Sequence, residues 1–220
     1  AREQEALERF IVELNRKETR FRVTVLAVPY DAYLDKITAA IPRGRGPDVF
    51  IAAHDTIGDW AEDAHAAIGA LTEGPQILVG SSMGGWIALL VARRLPDWIV
   101  GLVGIAAAPD FTAAMEAQFT EADHRSLVEE GRIVRPSDYA PEPYVFTRRL
   151  FEDGRQHLVL DRPLHLPFPV RLLQGTADAD VAPAVALRLL DHATGPDIRL
   201  TLVKDADHRF SAPGCLALLV

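Results

Sequence analysis

The 220-residue chain contains a single cysteine, Cys215, so no internal disulfide can form. Long apolar runs are missing as well. The longest, Trp98 to Pro109, is too short to span a bilayer. The first residues, Ala1-Arg2-Glu3-Gln4-Glu5, are charged and have no apolar stretch of the signal-peptide kind, so a cytoplasmic location is expected. Lys and Arg number 23 against 31 Asp and Glu, a formal net charge of −8. No basic stripe with interleaved aromatics is present, which argues against a nucleic-acid partner. No histidine pair has metalloprotease spacing, so neither a metal nor a cofactor is expected. Repeats and low-complexity segments are also lacking. The chain does have 49% hydrophobic residues, enough for one globular domain with a real core.

The most informative segment is Gly80-Ser81-Ser82-Met83-Gly84. It lies between an apolar run, Ile77-Leu78-Val79, and a helically patterned run from Trp86 to Arg94. Strand, tight turn and helix are the setting in which a G-x-S-x-G turn holds a nucleophilic serine. A serine hydroxyl is a poor nucleophile until a base reaches it, and the sharp turn lifts Ser82 toward one. The same turn aims the following backbone N–H, that of Met83, at a developing oxyanion. Glycines at the two ends, Gly80 and Gly84, are expected to let strand and helix approach closely, with Ser81 pointing into the fold.

Hydrophobic spacing assigns the other elements. Helices are predicted over Glu3–Glu18, from Asp31 to Ile41, over Ile57–Leu71, from Trp86 to Leu95 and from Ala182 to Ala193. Strands are predicted over Phe21–Val28, Asp48–Ala53, Gln76–Gly80, Ile99–Ala107, Val170–Gln174 and Ile198–Val203. A last helix is predicted from Ser211 to Val220. Between 110 and 163 the pattern changes to short helical pieces (Ala113–Phe119, Glu121–Glu130, Tyr144–Asp153) separated by proline-rich turns. Alternating strands and helices make an α/β fold with a doubly wound, mostly parallel sheet. The segment 110–163 is then a helical cap inserted at the edge where ligands bind. Phe111, Met115, Phe119, Tyr144 and Phe146 are its candidate lining for an apolar substrate. The plain alternative is that they seal the insertion's own small core.

In this fold class the acid and the base follow the serine in the order Ser, Asp/Glu, His. The strand Val170–Gln174 runs into Gly175-Thr176-Ala177-Asp178-Ala179-Asp180. Asp178 is the first choice of acid and Asp180 the reserve, the alternative role for either being a helix cap. After Val203 comes Lys204-Asp205-Ala206-Asp207-His208. His208 is the one histidine that follows a strand downstream of the acid, so it can bond both Ser82 and Asp178. The second oxyanion donor is expected from Pro29-Tyr30-Asp31. Proline has no N–H, and a carboxylate beside an oxyanion is unfavourable. Tyr30 is therefore preferred to Asp31.

From about Thr56 onward the chain resembles α/β-hydrolases of the palmitoyl-protein thioesterase group and their bacterial carboxylesterase relatives. The matching residues are Thr56-Ile57-Gly58-Asp59-Trp60, Gly80 to Trp86, Leu173-Gln174-Gly175-Thr176-Ala177-Asp178 and Ala206-Asp207-His208-Arg209-Phe210-Ser211. The resemblance implies serine hydrolysis of a small-molecule acyl ester or thioester, with Ser82, Asp178 and His208 as triad. Residues 1 to about 55 resemble instead the N-terminal lobe of maltose/trehalose-type sugar-binding proteins, through Val28 to Ile37 and Gly46 to Asp55. The chain therefore reads as a chimera, 1–55 joined to a hydrolase core at 56–220. The usual N-terminal strands and the histidine-glycine oxyanion loop of the hydrolases are replaced. Oligomeric state is not legible.

Overall fold

In a computed structural model of the chain, residues 11–12, 15–17, 22–24, 56–136 and 143–219 are described. The chain divides into two compact units, Ala1–Ala52 and Ala53–Val220. In the first, Ile11, Val12 and Asn15 to Lys17 are helical, as their spacing predicts. Arg22 to Thr24 lie in the expected strand Phe21–Val28 but have no regular structure. Val23 instead bonds a side chain: Asn15 Nδ2 donates to its carbonyl at 2.7 Å, and its N–H donates to Asn15 Oδ1 at 2.8 Å. The helix expected from Asp31, the strand Asp48–Ala53 and Tyr30 lie outside the described residues.

The second unit starts with helix α1 (Ile57–Leu71), then strand β1 (Gln76–Ser81), helix α2 (Met83–Arg94) and strand β2 (Ile99–Ile105). The insertion follows: α3 (Phe111–Glu116), α4 (Glu121–Glu129), strands β3 (Arg132–Arg135) and β4 (Tyr144–Thr147), and α5 (Arg148–Gly154). The chain then returns through β5 (Leu164–His165), β6 (Val170–Gly175), α6 (Pro183–His192), β7 (Ala193–Thr194), β8 (Ile198–Val203) and the short α7 (Pro213–Leu216). The main sheet has the order β1-β2-β6-β8, and all three pairings are parallel.

Two expectations about elements are corrected. Tyr144–Thr147 is a strand rather than the start of a helix, and it pairs antiparallel with β3, Ile133 facing Phe146. The insertion is therefore mixed, not purely helical. The β-branched residues Val134, Val145 and Thr147 favour the extended ribbon, and the side chain of Thr147 caps α5 by accepting from the Leu150 N–H at 3.1 Å. The last helix is one turn, Pro213–Leu216, in place of Ser211–Val220.

Among the described residues, helices cover the two sheet faces unequally. One face carries the main core, in which Ile57, Trp86, Leu89, Leu102, Val170, Leu172 and Leu189 are buried. The other has a small cluster at the strand ends: Ile105, Leu173, Ala206, Phe210 and Cys215. Ile77 and Val79 on that face are each 65% exposed, and a groove of about 350 Å³ runs past Val79, Val103, Leu173 and Leu218. Ser81 continues the row of Ile77 and Val79 and is exposed, not turned into the fold.

Candidate active site

Three loops at the C-terminal edge of the parallel sheet build the site, where ligands bind in open α/β sheets. The first is the turn between β1 and α2. Ser82 has φ 54° and ψ −124°, a conformation a side-chain-bearing residue rarely adopts. The Ser82 N–H donates to Ile105 O at 2.9 Å, and Ser82 O accepts from Gly85 N at 2.9 Å and Ala108 N at 3.0 Å. These bonds hold the strained residue from both sides. A Cβ at Gly80 would stand 2.3 Å from Gly84 O, and one at Gly85 would stand 2.5 Å from Ala107 Cβ. A Cβ at Gly84 would meet nothing within 4 Å. The close approach therefore requires Gly80 and Gly85 rather than Gly80 and Gly84, because it is Gly85 that faces the end of β2.

The second loop follows β6. A Cβ at Gly175 would lie 2.2 Å from Ala206 O, so the strand end sits directly against the loop after β8. The Ala177 N–H donates to Ala206 O at 3.0 Å and the Thr176 N–H to Val203 O at 2.9 Å. These bonds set the spacing between Asp178 and the third loop. In that loop Asp205 and Phe210 have positive φ, 60° and 52°. Phe210 is buried in the small cluster and anchors the loop while His208 stays half-buried.

The three loops bring Ser82, His208 and Asp178 into one hydrogen-bonded chain. His208 Nε2 lies 3.1 Å from Ser82 Oγ, and His208 Nδ1 lies 2.9 Å from Asp178 Oδ2. The tautomer that donates Nδ1–H to the carboxylate leaves Nε2 free to accept the Ser82 hydroxyl proton. Asp178 is buried and accepts four donors. Oδ2 takes His208 Nδ1 and Gln174 Nε2, each at 2.9 Å; Oδ1 takes the N–H of Asp180 at 3.0 Å and of Val181 at 2.8 Å. Asp180, the reserve acid, contributes its backbone to this arrangement. One carboxylate oxygen of Asp180, one of Asp178 and a ring nitrogen of His208 lie within 4.8 Å of one another. A metal ion there would have to displace N–H donors already on Asp178.

The Met83 N–H opens α2 and has no acceptor among the described residues, so it is available to an oxyanion. Tyr30 lies outside the described residues. The five candidate lining residues divide. Phe111 meets Trp86 edge-on at 5.6 Å. Met115, Phe119 and Phe146 pack against the insertion's own cluster of Leu127, Ile133 and Phe151. Tyr144 is exposed on the ribbon.

Several residues that hold the site were not singled out from the sequence. Asp153 Oδ2 accepts the N–H of Ile57 at 2.6 Å and of Gly58 at 2.9 Å, so an insertion carboxylate caps α1. Trp86 Nε1 donates to His157 O at 3.0 Å. Asp110, in the left-handed region at φ 56°, accepts Val159 N at 2.8 Å and Leu160 N at 2.9 Å. Burial pushes the Asp110 carboxyl above its ordinary 3.8, against those two bonds, with Asp161 raising it and Arg188 lowering it. The available signal for Gln174 is a polar amide directly after Leu172 and Leu173, at the end of a predicted strand.

Residues 1–89 match the bacterial extracellular solute-binding protein family. The mitochondrial palmitoyl-protein thioesterase ABHD10 of Mus musculus is 33% identical over 169 residues, 76% of this chain and 57% of that protein. The homologous protein of Homo sapiens is 32% identical over 75% of this chain and 54% of its own length. Among solved structures, a hydrolase from Agrobacterium vitis S4 is 42% identical with a TM-score of 0.72, covering 74% of this chain and 65% of that one. The mouse ABHD10 structure has a TM-score of 0.69 at 31% identity, covering 74% and 66%. The chain thus spans less than two thirds of the length of these relatives. From about residue 56 onward the chain has the α/β-hydrolase fold and resembles the palmitoyl-protein thioesterase group and its bacterial relatives, while its N-terminal part resembles a solute-binding protein.

Proposed function

We propose that the chain hydrolyses carboxylic esters or acyl thioesters through an acyl-enzyme on Ser82. The observation that carries this reading is the Ser82–His208–Asp178 chain of hydrogen bonds at 3.1 and 2.9 Å. In the first half-reaction Ser82 Oγ attacks the acyl carbonyl and its proton passes to His208 Nε2. Asp178 stabilises the imidazolium, and the Met83 N–H holds the oxyanion. Collapse breaks the bond to the alcohol or thiol, which leaves with the proton from His208. Water then attacks the acyl-enzyme, with His208 as base, and releases the acid and free Ser82.

The relatives named as palmitoyl-protein thioesterases support an acyl thioester substrate. Phe111, Met115, Phe119, Tyr144 and Phe146 are proposed to line the acyl side, although Met115, Phe119 and Phe146 also pack on the insertion's own core. Phe119→Ala tests this by the ratio of rates on butyrate and longer esters. A lower melting temperature with an unchanged ratio assigns Phe119 to packing alone. The proposed division of the chain is 1–55 and 56–220. A foreign loop at 29–31 makes weak turnover the expectation, since one missing donor costs about 10²–10³ in kcat.

The deciding experiment is hydrolysis of p-nitrophenyl acetate and butyrate, with labelling by a fluorophosphonate. Ser82→Ala is expected to lose both activities and Ser81→Ala to keep both. Equal activity of Ser82→Ala and the parent chain defeats the reading, and inactivity of the parent chain leaves an inert recombined scaffold. A second reading, a remnant carbohydrate-binding module, is favoured by the solute-binding match over residues 1–89. Heat on titrating the chain with maltose or trehalose is the measurement that supports it.

A further inference from the structure

We infer that Gln174 is a positioning residue for the catalytic acid, an inference that rests on the serine-hydrolase reading above. Gln174 is the last residue but one of β6 and is fully buried, at 0% exposure. A polar amide is costly there unless it is bonded. Its Nε2 donates to Asp178 Oδ2 at 2.9 Å and to Val181 O at 3.0 Å, with Gly175 O at 3.3 Å as a longer neighbour. Its Oε1 is buried and has no donor among the described residues. The orphan oxygen identifies which half of the amide is needed. Turning the group over would put Oε1 against the carboxylate and the Val181 carbonyl, three acceptors with no proton between them. Nitrogen must therefore face Asp178.

The oxygen that Gln174 bonds is the same one that accepts His208 Nδ1. The amide N–H gives this oxygen a second fixed donor beside His208. It also fixes the carboxylate plane, since Oδ1 is already held by the Asp180 and Val181 N–H groups. Gln174 thus holds the direction of the carboxylate that sets the His208 tautomer. Because the same amide binds the Val181 carbonyl, it ties the acid's loop to the strand end as a unit. A carboxylate oxygen of Asp180 and a ring nitrogen of His208 lie within 4.8 Å of a carboxylate oxygen of Asp178. Gln174 does not touch substrate and acts through Asp178.

Two variants and a spectrum test this. Gln174→Met keeps the volume and removes the donor together with the orphan oxygen. Its melting temperature is expected to fall modestly, because the Val181 carbonyl loses a donor, while the folded fraction at the assay temperature is unchanged and kcat/KM falls about 10- to 100-fold, by analogy with partners of metal-ligating histidines, with KM unchanged. Gln174→Glu puts a second carboxyl beside Asp178. Protonated, it donates to Oδ2; ionised, it repels it, so kcat/KM is expected to gain a new fall with rising pH that neither the parent nor Gln174→Met shows. A residue that only packs the core would create no such limb. Independently of activity, the downfield proton resonance of His208 Nδ1–H, read in a Ser82→Ala background, is expected to move or vanish in Gln174→Met. An unmoved resonance, or a loss of kcat/KM matched by an equal loss of folded protein, overturns the inference. If Ser82→Ala hydrolyses esters like the parent, the hydrolase reading fails, and the resonance alone then judges whether Gln174 holds Asp178.

Discussion

At the scale of single residues, Ser82 sets backbone strain against the proposed chemistry. Its φ of 54° with ψ −124° suits glycine, and such strain costs about 1–3 kcal/mol. The surrounding bonds to Ile105 O, Gly85 N and Ala108 N hold it in place. Ser82→Gly is therefore expected to raise the melting temperature while abolishing ester hydrolysis. Ser82→Ala keeps the strain and gains nothing in stability, with a loss of kcat on the order of 10⁴–10⁶. Calorimetry on the two variants checks this: equal melting temperatures would mean that the turn is not strained.

At the scale of elements, α2 docks on the end of β2 without a side chain between them. Gly85→Ala would place a Cβ 2.5 Å from Ala107 Cβ, and neither backbone can yield without moving the elbow. A loss of about 1–3 kcal/mol, by analogy with overpacked cores, is expected from denaturant midpoints. Gly84→Ala meets nothing within 4 Å and should be tolerated, an internal control. The insertion is tied to the core by side chains that cap from a distance. Asp153 satisfies the Ile57 and Gly58 N–H groups at the start of α1, 95 residues or more away in the chain. Asp153→Ala is expected to cost about 1–2 kcal/mol, the size of a lost helix cap. Hydrogen exchange should show the first turn of α1 opening before the rest. Uniform opening of the whole unit would instead make Asp153 part of the global core.

At the scale of the molecule, Asp110 shapes the pH dependence of stability. Burial raises its carboxyl above 3.8 in the folded state, so just above that pH the folded chain holds more protons than the unfolded one. The contribution of this group is present at low pH and is lost as pH rises through the folded value. Stability of wild type minus that of Asp110→Asn should therefore fall with rising pH from about 4 upward; a rising difference would reverse the assigned sign. The second whole-molecule consequence is the open sheet face. Ile77 and Val79 are 65% exposed beside the groove lined by Val103, Leu173 and Leu218. Ile77→Thr with Val79→Thr is expected to lower binding of a hydrophobic dye to the folded chain and to keep the strand, since threonine also suits it. Unchanged dye fluorescence would locate the exposed apolar surface elsewhere.

The sequence by itself determined what depends on local spacing. Short apolar runs mark the sheet strands and a period of 3.6 marks α1, α2 and α6, with ends within about three residues, because strands of a parallel sheet are buried on both faces and a helix buries one. The elbow motif and the order of Ser82, Asp178 and His208 were legible for the same reason, since each lies just past a strand end. The ribbon at Tyr144–Thr147 was not legible. Four residues are too few to show a period, and Leu150 and Phe151 in the next turn of chain extend a helical pattern backward over them. Only the tertiary structure decided which glycine faces Ala107, that Ser81 looks outward, that Asp153 caps α1 and that Gln174 turns its amide nitrogen to Asp178. Each is a pairing between groups brought together by folding, and a single chain's letters hold no distance between them. Local sequence dictates which conformations a segment favours; which side chain satisfies a buried N–H or carboxylate is settled when distant segments compete for the same place.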